Sequence, residues 1–173
     1  MDDKKYNLLD EPWICVMKEN GEVKELSLMD VLLHAHQYRR LAGELPTQDV
    51  AVLRLLLAVL QTVVYRYDTD GNEDELVETE DAYERWKEIW NEGKLPEKPI
   101  REYLTKWKER FYLYDSDRPF YQVPKAAIGT ECKAAKLNGE ISESSNKLRL
   151  FSNRAGKEKE FLSNSEAARW LLY

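Results

Sequence analysis

The sequence contains few of the residues and motifs by which enzymes are usually recognised. It has only two cysteines, Cys15 and Cys132, and neither belongs to a CxxC pair or another metal-ligand pattern. Its two histidines, His34 and His36, are two positions apart on a predicted helix, so they point to different faces and cannot share one metal ion there. Glycine-rich phosphate loops and GxSxG elbows are also absent. We therefore expect no cofactor, no metal ion and no catalytic residues in this segment.

Stretches that could direct the chain into a membrane or out of the cell are lacking as well. Residues 1–13 have no apolar core of the kind found in signal peptides. The longest apolar run, residues 50–65, is interrupted by Arg54 and Gln61 and is too short to span a bilayer comfortably. Two distant cysteines without a secretion signal are typical of free thiols in a reducing cytosol. These absences predict a soluble, cytoplasmic protein.

The sequence does contain enough apolar residues for one folded domain. Of its 173 residues, 43% are hydrophobic and 34% are charged, and the net charge is −6 at pH 7. A chain of this length buries roughly two-thirds of its unfolded surface, and the composition is not that of a disordered protein. We predict an α+β fold, a mainly helical globular domain with a small N-terminal antiparallel sheet and a long flexible loop.

Local patterns predict a hairpin at the start of the chain, followed by a helix. Asn20-Gly21 separates two short runs, residues 13–18 and 22–26, and both turn residues tolerate positive φ. Ser27 is a typical N-cap, and the apolar spacing after it predicts an amphipathic helix over residues 28–38.

Two further helices are predicted from their caps and apolar content. The first covers residues 48–65, is capped by Thr47 and is apolar on nearly all sides, which is typical of a buried central helix. Its Arg54 is expected to be partly buried and paired with a carboxylate. The second opens at Ser163, whose spacing to Glu166 matches a capping box.

The middle of the chain combines an acidic stretch with helical stripes of aromatic residues. Residues 68–84 hold nine carboxylates and no cation, and only their first positions match a calcium loop, so a solvated acidic loop is the better interpretation. Tyr83, Trp86 and Trp90 share one face of a predicted helix, and residues 100–111 form a second stripe. We expect both stripes to face the core.

Residues 124–162 have no periodicity, which is typical of a functional or mobile loop. Within them, residues 147–159 carry five cations against one carboxylate, with Phe151 in the middle. Phosphate backbones attract such patches, and an exposed aromatic can stack on bases. On composition alone the segment is either a nucleic-acid contact or a solvated surface loop.

Five stretches resemble, in order, the large subunit of the type I-E CRISPR surveillance complex Cascade, the CasA family. They cover nearly all of the chain: YNLLDEPWICV (6–16), ELSLMDVLLHAHQYRRLAGELPTQDVAVLRLLLAVL (25–60), FYLYDSDRPFYQ (111–122), NKLRLFSNR (146–154) and LSNSEAARWLL (162–172). The fourth resembles the loop known in that family as loop one. The chain departs from the family pattern at three places, and its acidic stretch over residues 68–84 is longer than the family pattern leads us to expect. Cys15 replaces a usual Pro, Lys147-Leu148 replaces a frequent Asn-Pro pair, and Ser152 stands where many members have Asp.

The resemblance implies a non-catalytic subunit of a crRNA-guided antiviral complex. Residues 1–173 would be the N-terminal domain of that subunit, with the family's C-terminal four-helix bundle beyond Tyr173. Such a subunit helps to recognise the protospacer-adjacent motif (PAM) in double-stranded DNA, promotes unwinding and recruits a helicase-nuclease. The implied partners are other Cascade subunits, the crRNA 5′ handle, double-stranded target DNA and that helicase-nuclease, with no membrane.

The expected nucleic-acid-binding residues all lie in or beside loop one. They are Asn146, Lys147, Arg149, Leu150, Phe151, Ser152, Asn153, Arg154 and Lys157. An alternative is a purely structural scaffold domain that docks neighbouring Cascade subunits without direct DNA contact. A third interpretation, a nuclease, would require a cluster of carboxylates that holds a metal ion.

Overall fold

The structure is a computed structural model and describes residues 4–131, 133–138 and 161–173. It confirms the α+β class: helices predominate, and the strands form two small antiparallel sheets. The strands are β1 Lys5–Asn7, β2 Ile14–Met17, β3 Val23–Leu26, β4 Arg40–Leu41 and β5 Tyr112–Tyr114. The α-helices are α1 Leu28–Leu33, α2 Pro46–Arg66, α3 Thr79–Glu92, α4 Glu97–Lys106, α5 Ala134–Leu137 and α6 Asn164–Leu172. Short 3-10 helices cover Ala35–Gln37, Lys108–Arg110 and Pro124–Ile128.

The predicted N-terminal hairpin is confirmed. Strands β2 and β3 pair in an antiparallel register that sets Ile14 opposite Leu26, and Gly21 supplies the positive φ that the turn needs. The sheet order is β3-β2-β4, so the short strand β4 adds an edge that the sequence did not predict. A second sheet pairs β1 with β5 and joins the start of the chain to residues 112–114.

Helix α1 is shorter than predicted. Ser27 is its N-cap as expected, since the Ser27 hydroxyl accepts a hydrogen bond from the Asp30 N–H at 3.1 Å. The helix ends at Leu33 rather than at residue 38, because His34 leaves the α conformation and the chain continues as a 3-10 turn.

Helix α2 corrects two predictions about its start and its charge. It begins at Pro46 with Leu45 as the N-cap residue, not at residue 48 with Thr47 as the cap, because proline is well suited to the first turn of a helix. The Arg54 side chain is exposed rather than partly buried, since it lies on the solvent-facing side of the helix.

The expected all-round burial of α2 is also wrong. One face is buried against the core and includes Val52, Val59 and Val63, whereas Val50 and Leu53 on another face are exposed. Among the described residues, α2 is the one helix long and apolar enough to cross a membrane by length and composition. Core helices of soluble proteins meet the same two criteria, so this finding is weak evidence for a membrane span.

The hydrophobic core joins the first strands to the later helices. Trp13 is fully buried, and its indole N–H donates to the Leu8 carbonyl oxygen at 2.9 Å. Helix α2 packs against α4 and α6, and Ile100 and Leu104 of α4 are fully buried. The aromatic stripe of residues 100–111 therefore faces the core in part, as predicted. The stripe of α3 is exposed, which corrects the prediction for Tyr83, Trp86 and Trp90.

A buried arginine on α3 closes the C-terminal end of α2. Arg85 is only 8% exposed, and its guanidinium donates to the carbonyl oxygens of Val64, Tyr67 and Asp74 at 2.8–3.1 Å. It also forms an ion pair with the Asp74 carboxylate. Carbonyls at a helix C-terminus lack partners within the helix and attract cations, so this one side chain fixes the acidic loop over the end of α2.

We predict that Arg85→Met destabilises the domain strongly. The substitution removes the buried donor to three carbonyl oxygens and the partner of the Asp74 carboxylate, so the free energy of unfolding should fall by about 3 kcal/mol. Urea unfolding followed by circular dichroism measures the change. Arg101→Met is the matched control, because Arg101 is exposed and its ion pair with Glu97 lies on the surface; its effect should stay within about 0.5 kcal/mol. Equal effects of the two substitutions would contradict the role assigned to Arg85.

Candidate functional site

The predicted nucleic-acid-binding residues lie outside the described part of the chain. All nine, from Asn146 to Lys157, fall within residues 139–160. The structure describes the residues on both sides of this segment. They are Asn138, which follows α5, and Phe161, which precedes α6. The geometry of the candidate site is therefore the geometry of these two flanks.

The upstream flank is basic and largely exposed. Residues 118–138 carry four cations and one carboxylate. The cations are Arg118, Lys125, Lys133 and Lys136, and all four side chains are exposed. The described residues before the loop are therefore basic as well, and only Glu140 and Glu143 carry charge between the two basic stretches.

The downstream flank begins with a well-formed helix cap. The Ser163 hydroxyl accepts from the Glu166 N–H at 3.2 Å, and the Glu166 carboxylate accepts from the Ser163 N–H at 2.7 Å. This confirms the predicted capping box. The Tyr114 hydroxyl donates to the Asn164 side-chain oxygen at 3.0 Å and links the same turn to β5.

A buried ion pair attaches α6 to the N-terminal hairpin. Arg169 is 5% exposed, and its guanidinium donates to the Trp13 carbonyl oxygen at 2.7 Å and to the Glu25 carboxylate at 2.6 Å. The Ser165 hydroxyl donates to the same Glu25 oxygen at 3.0 Å. The Trp170 indole N–H reaches the Glu44 carboxylate at 3.1 Å. Residues that are far apart in sequence thus hold the downstream flank in one position.

Cys15 lies in this same cluster and is poorly suited to nucleophilic chemistry. Its Sγ is 3.7 Å from the Glu25 carboxylate. Burial raises the pKa of the Cys15 thiol from its ordinary value of 9.0 to about 11, and the nearby Glu25 charge raises it further while Arg169 opposes the change. The thiolate is the reactive form of cysteine, so the folded chain keeps Cys15 protonated and unreactive near neutral pH.

No described residues form a candidate metal site. Outside residues 1–3, 132 and 139–160, no group of three or more His, Cys, Asp or Glu side chains is placed to hold a metal ion. The residues that partly match a calcium loop instead form hydrogen bonds with one another. The Asp68 carboxylate accepts one from the Asn72 backbone N–H at 2.7 Å and one from the Asn72 side-chain amide at 2.8 Å. These hydrogen bonds lower the Asp68 pKa, with the bond from the Asn72 side chain as the largest cause.

We predict that native Cys15 reacts slowly with iodoacetamide. Because each pKa unit changes the thiolate fraction tenfold, alkylation at pH 8 should be at least about tenfold slower in the folded chain than in urea. A Cys132→Ser background leaves one thiol to follow by mass spectrometry. The raised pKa also means that the thiol stabilises the fold below pH 9, and that this contribution is lost as pH rises toward about 11. Equal alkylation rates in the folded and unfolded chain would contradict the assignment.

Three comparisons with known proteins agree on the family. The family model for the CRISPR-associated protein Cse1 matches residues 7–173. The CRISPR-associated protein CasA/Cse1 of Thermus thermophilus is 34% identical over 169 residues, which cover 98% of this chain and 31% of that protein.

Solved structures share the fold. The crystal structure of Thermobifida fusca Cse1 matches with a TM-score of 0.75 and 32% identity, over 99% of this chain and 30% of that one. A chain of a structure described as a CRISPR RNA-guided surveillance complex, pre-nicking, matches with a TM-score of 0.74 over 98% of this chain and 33% of that one; its 20% identity shows the fold alone. The chain thus spans about a third of the length of the relatives it matches. On this family-model match and this identity, the chain belongs to the Cse1 (CasA) family of CRISPR-associated proteins, as the sequence resemblance predicted.

Proposed function

We propose that this chain is part of the large subunit of a type I-E, crRNA-guided surveillance complex and contributes nucleic-acid contacts without catalysing a reaction. The observation that carries the proposal is the family match over residues 7–173. The other Cascade subunits are then its protein partners, the cytoplasm is its location, and residues 1–173 belong to the N-terminal domain of the subunit. The whole complex, not this acidic chain alone, supplies most of the affinity for DNA.

The basic segment and its upstream flank are the surface proposed to contact nucleic acid. Residues 118–159 carry nine cations against four carboxylates, a net +5 in a chain whose total is −6. Each Lys or Arg that neutralises a phosphate releases condensed counterions, so a local reversal of this size favours association with a phosphate backbone. Four of these cations are exposed on described residues, which supports the proposal.

Individual roles follow from side-chain chemistry. Arg149, Arg154 and Lys157 neutralise phosphates, with Lys147 beside them. Ser152 and Asn153 donate and accept hydrogen bonds at base edges or at the backbone. Phe151 packs on a nucleotide or on a neighbouring subunit, and Asn146 and Leu150 flank it. Loop one would thereby take part in PAM recognition and in contacts near the crRNA 5′ handle.

The fixed downstream flank supports a role in positioning nucleic acid. Because the Arg169 guanidinium and the Ser165 hydroxyl hold α6 on the hairpin, the chain rejoins the domain at a defined place from Phe161 onward. A loop tied at both ends to a rigid body loses less conformational entropy when it binds than a free tail does. Unwinding of the duplex and recruitment of the helicase-nuclease would follow PAM recognition and depend on the assembled complex.

The scaffold interpretation is a second candidate, and one observation favours it. Tyr83, Trp86 and Trp90 are exposed on α3, and exposed aromatic residues are enriched at protein interfaces. In that interpretation the chain docks neighbouring subunits and loop one contacts protein rather than DNA.

Charge reversal separates the two candidates. We predict that Arg149→Glu, Arg154→Glu and Lys157→Glu together reduce binding of target DNA at least tenfold while the complex still assembles. If the three cations contact phosphates, the slope of log affinity against log salt should also decrease in magnitude by about 3. Filter binding over a range of NaCl concentrations, with assembly checked by size-exclusion chromatography, measures both quantities.

The matched control reverses three exposed cations on α4, namely Lys98, Arg101 and Lys106. The net change in charge is the same, so a general electrostatic effect would lower DNA affinity in both variants. Loss of assembly in the loop variant, with α4 substitutions tolerated, would favour the scaffold interpretation. Unchanged DNA binding by an assembled loop variant would refute the nucleic-acid role.

A further inference from the structure

Tyr121 has a backbone conformation that is unfavourable for a bulky residue. It is the third residue of a turn that is closed by a hydrogen bond from the Gln122 N–H to the Pro119 carbonyl oxygen at 3.2 Å. Its φ is 58°, in the left-handed region where turns of this kind favour glycine or asparagine. Bulky residues with positive φ are rare in proteins, and those that persist are found most often at functional sites. The conformation of Tyr121 therefore points to a function of its side chain.

Neighbouring hydrogen bonds hold this conformation in place. The Phe120 N–H donates to the Tyr112 carbonyl oxygen at 2.8 Å. The Gln122 side-chain amide donates to the Leu113 carbonyl oxygen at 2.8 Å and to the Phe120 carbonyl oxygen at 3.3 Å. These bonds tie the chain to β5 on both sides of Tyr121. A ligand that contacts the Tyr121 ring therefore meets a backbone that is already ordered, which lowers the entropy lost on binding.

A second tyrosine with positive φ shows what is different about Tyr121. The φ of Tyr6 is also 58°, but its hydroxyl donates to the Pro12 carbonyl oxygen at 2.7 Å and its side chain packs against the core. The fold itself thus uses the Tyr6 side chain. Tyr121 is 68% exposed, and its hydroxyl forms no hydrogen bond with another residue in the described part of the chain.

The Tyr121 ring is the outermost of three aromatic rings that lead from the core to the surface. The Phe111 and Phe120 rings stack with centroids 5.5 Å apart, and both residues are buried. The Tyr121 ring centroid lies 5.9 Å from that of Phe120, with an angle of 34° between the ring planes. Because the outermost ring is the exposed one, a further planar ring can add to this row from solvent. Nucleobases suit such a position, since every base has a π-face.

Exposed cations in the same segment favour a ligand that carries phosphates. Residues 117–138 hold four cations and two carboxylates. Lys125, Lys133 and Lys136 are exposed, and none of the three forms an ion pair with another described residue. Their charges are therefore available to neutralise phosphates, which is the main source of affinity in nucleic-acid binding.

The carboxylate just before the turn is engaged within the fold. Asp115 accepts hydrogen bonds from the Asp117 N–H at 2.8 Å and from the Arg118 N–H at 3.1 Å. Its carboxylate also lies 4.0 Å from the Lys4 ammonium group. Because Asp115 has these partners, it opposes a nearby phosphate less than an unpaired carboxylate would.

We propose that Tyr121 stacks on an unpaired nucleobase while the exposed cations of residues 118–136 contact phosphates of the same strand. The inference rests on the proposed function for the class of ligand, and it adds a base-stacking residue outside the nine residues of loop one. The crRNA and an unwound DNA strand both offer this chemistry, and the test distinguishes them. An apolar protein segment, which would also contact the exposed Val123 and Ile128, is the occupant that would count against the proposal.

Photo-crosslinking identifies what contacts Tyr121. The reconstituted complex, with the full-length subunit, would carry p-benzoylphenylalanine in place of Tyr121, and crRNA and target DNA would be labelled in separate experiments. We expect a crosslink to labelled crRNA or to labelled DNA, and the label tells the two sources apart. The same amino acid in place of Tyr83, which is 57% exposed on the acidic helix α3, should give at most one-fifth of that nucleic-acid yield. Crosslinks to protein alone, or no crosslink, would overturn the inference.

A glycine substitution separates binding from stability. Tyr121→Gly removes the ring and also the strain at positive φ, so the melting temperature of the full-length subunit should stay the same or rise. The affinity of the complex for the strand that crosslinks should fall at least about fivefold, as expected for the loss of one stacked base. Tyr121→Phe keeps the ring and should bind within about twofold of the unaltered complex.

Two further readings complete this test. Since the ring carries no charge, the slope of log affinity against log salt should be the same for Tyr121→Gly and the unaltered complex. A lower melting temperature of Tyr121→Gly with unchanged affinity would assign Tyr121 a structural role and overturn the inference.

The inference and the proposed function fail separately. A nucleic-acid crosslink at position 121 would stand even if reversal of Arg149, Arg154 and Lys157 left DNA binding intact. Loss of DNA binding in that loop variant, without a nucleic-acid crosslink at position 121, would overturn the inference alone.

Discussion

The buried guanidinium of Arg169 is the interaction on which the arrangement of the two ends of this chain depends. It donates to the Trp13 carbonyl and to the Glu25 carboxylate, and Ser165 donates to the same carboxylate. A buried cation is costly unless its partners are in place, so α6 has one favourable position on the hairpin. Trp13 is itself locked in the core by its hydrogen bond to Leu8. The first strands, the core and the last helix are therefore coupled, and the segment that carries the basic residues starts and ends on one folded body.

Charge is distributed along the sequence in two segments of opposite sign. Residues 68–92 hold eleven carboxylates and two cations, whereas residues 118–159 hold nine cations and four carboxylates. The proposed contacts with phosphate backbones are placed in the basic segment, because a net −9 segment repels polyanions. The net charge of −6 for the whole chain does not show this division. It becomes visible only when the charges are counted for each segment separately.

Local signals in the sequence predicted the elements that local chemistry determines. Asn20-Gly21 gave the hairpin and Ser163 gave the capping box, because turns and caps depend on residues a few positions apart. The prediction for α3 was wrong for a physical reason: the aromatic spacing indicates an amphipathic helix but does not say whether the apolar face is covered by the same chain. The bond between Arg169 and Glu25 spans 144 positions, and no pattern in one sequence reveals such a pair. The nine loop residues remain predictions, supported by their charge and by the family match.

Motif sensing by residues 146–157 is tested most directly by target binding of the reconstituted complex with Phe151→Ala/Asn153→Ala. Duplexes that carry or lack the PAM would be compared at one salt concentration, because affinities for DNA depend steeply on salt. The proposed role predicts an intact complex whose affinity for PAM-bearing duplex falls at least tenfold, to the level of duplex without the PAM. Unchanged binding to both duplexes by an intact complex would contradict it, and would leave this chain as a scaffold with recognition elsewhere in the assembly.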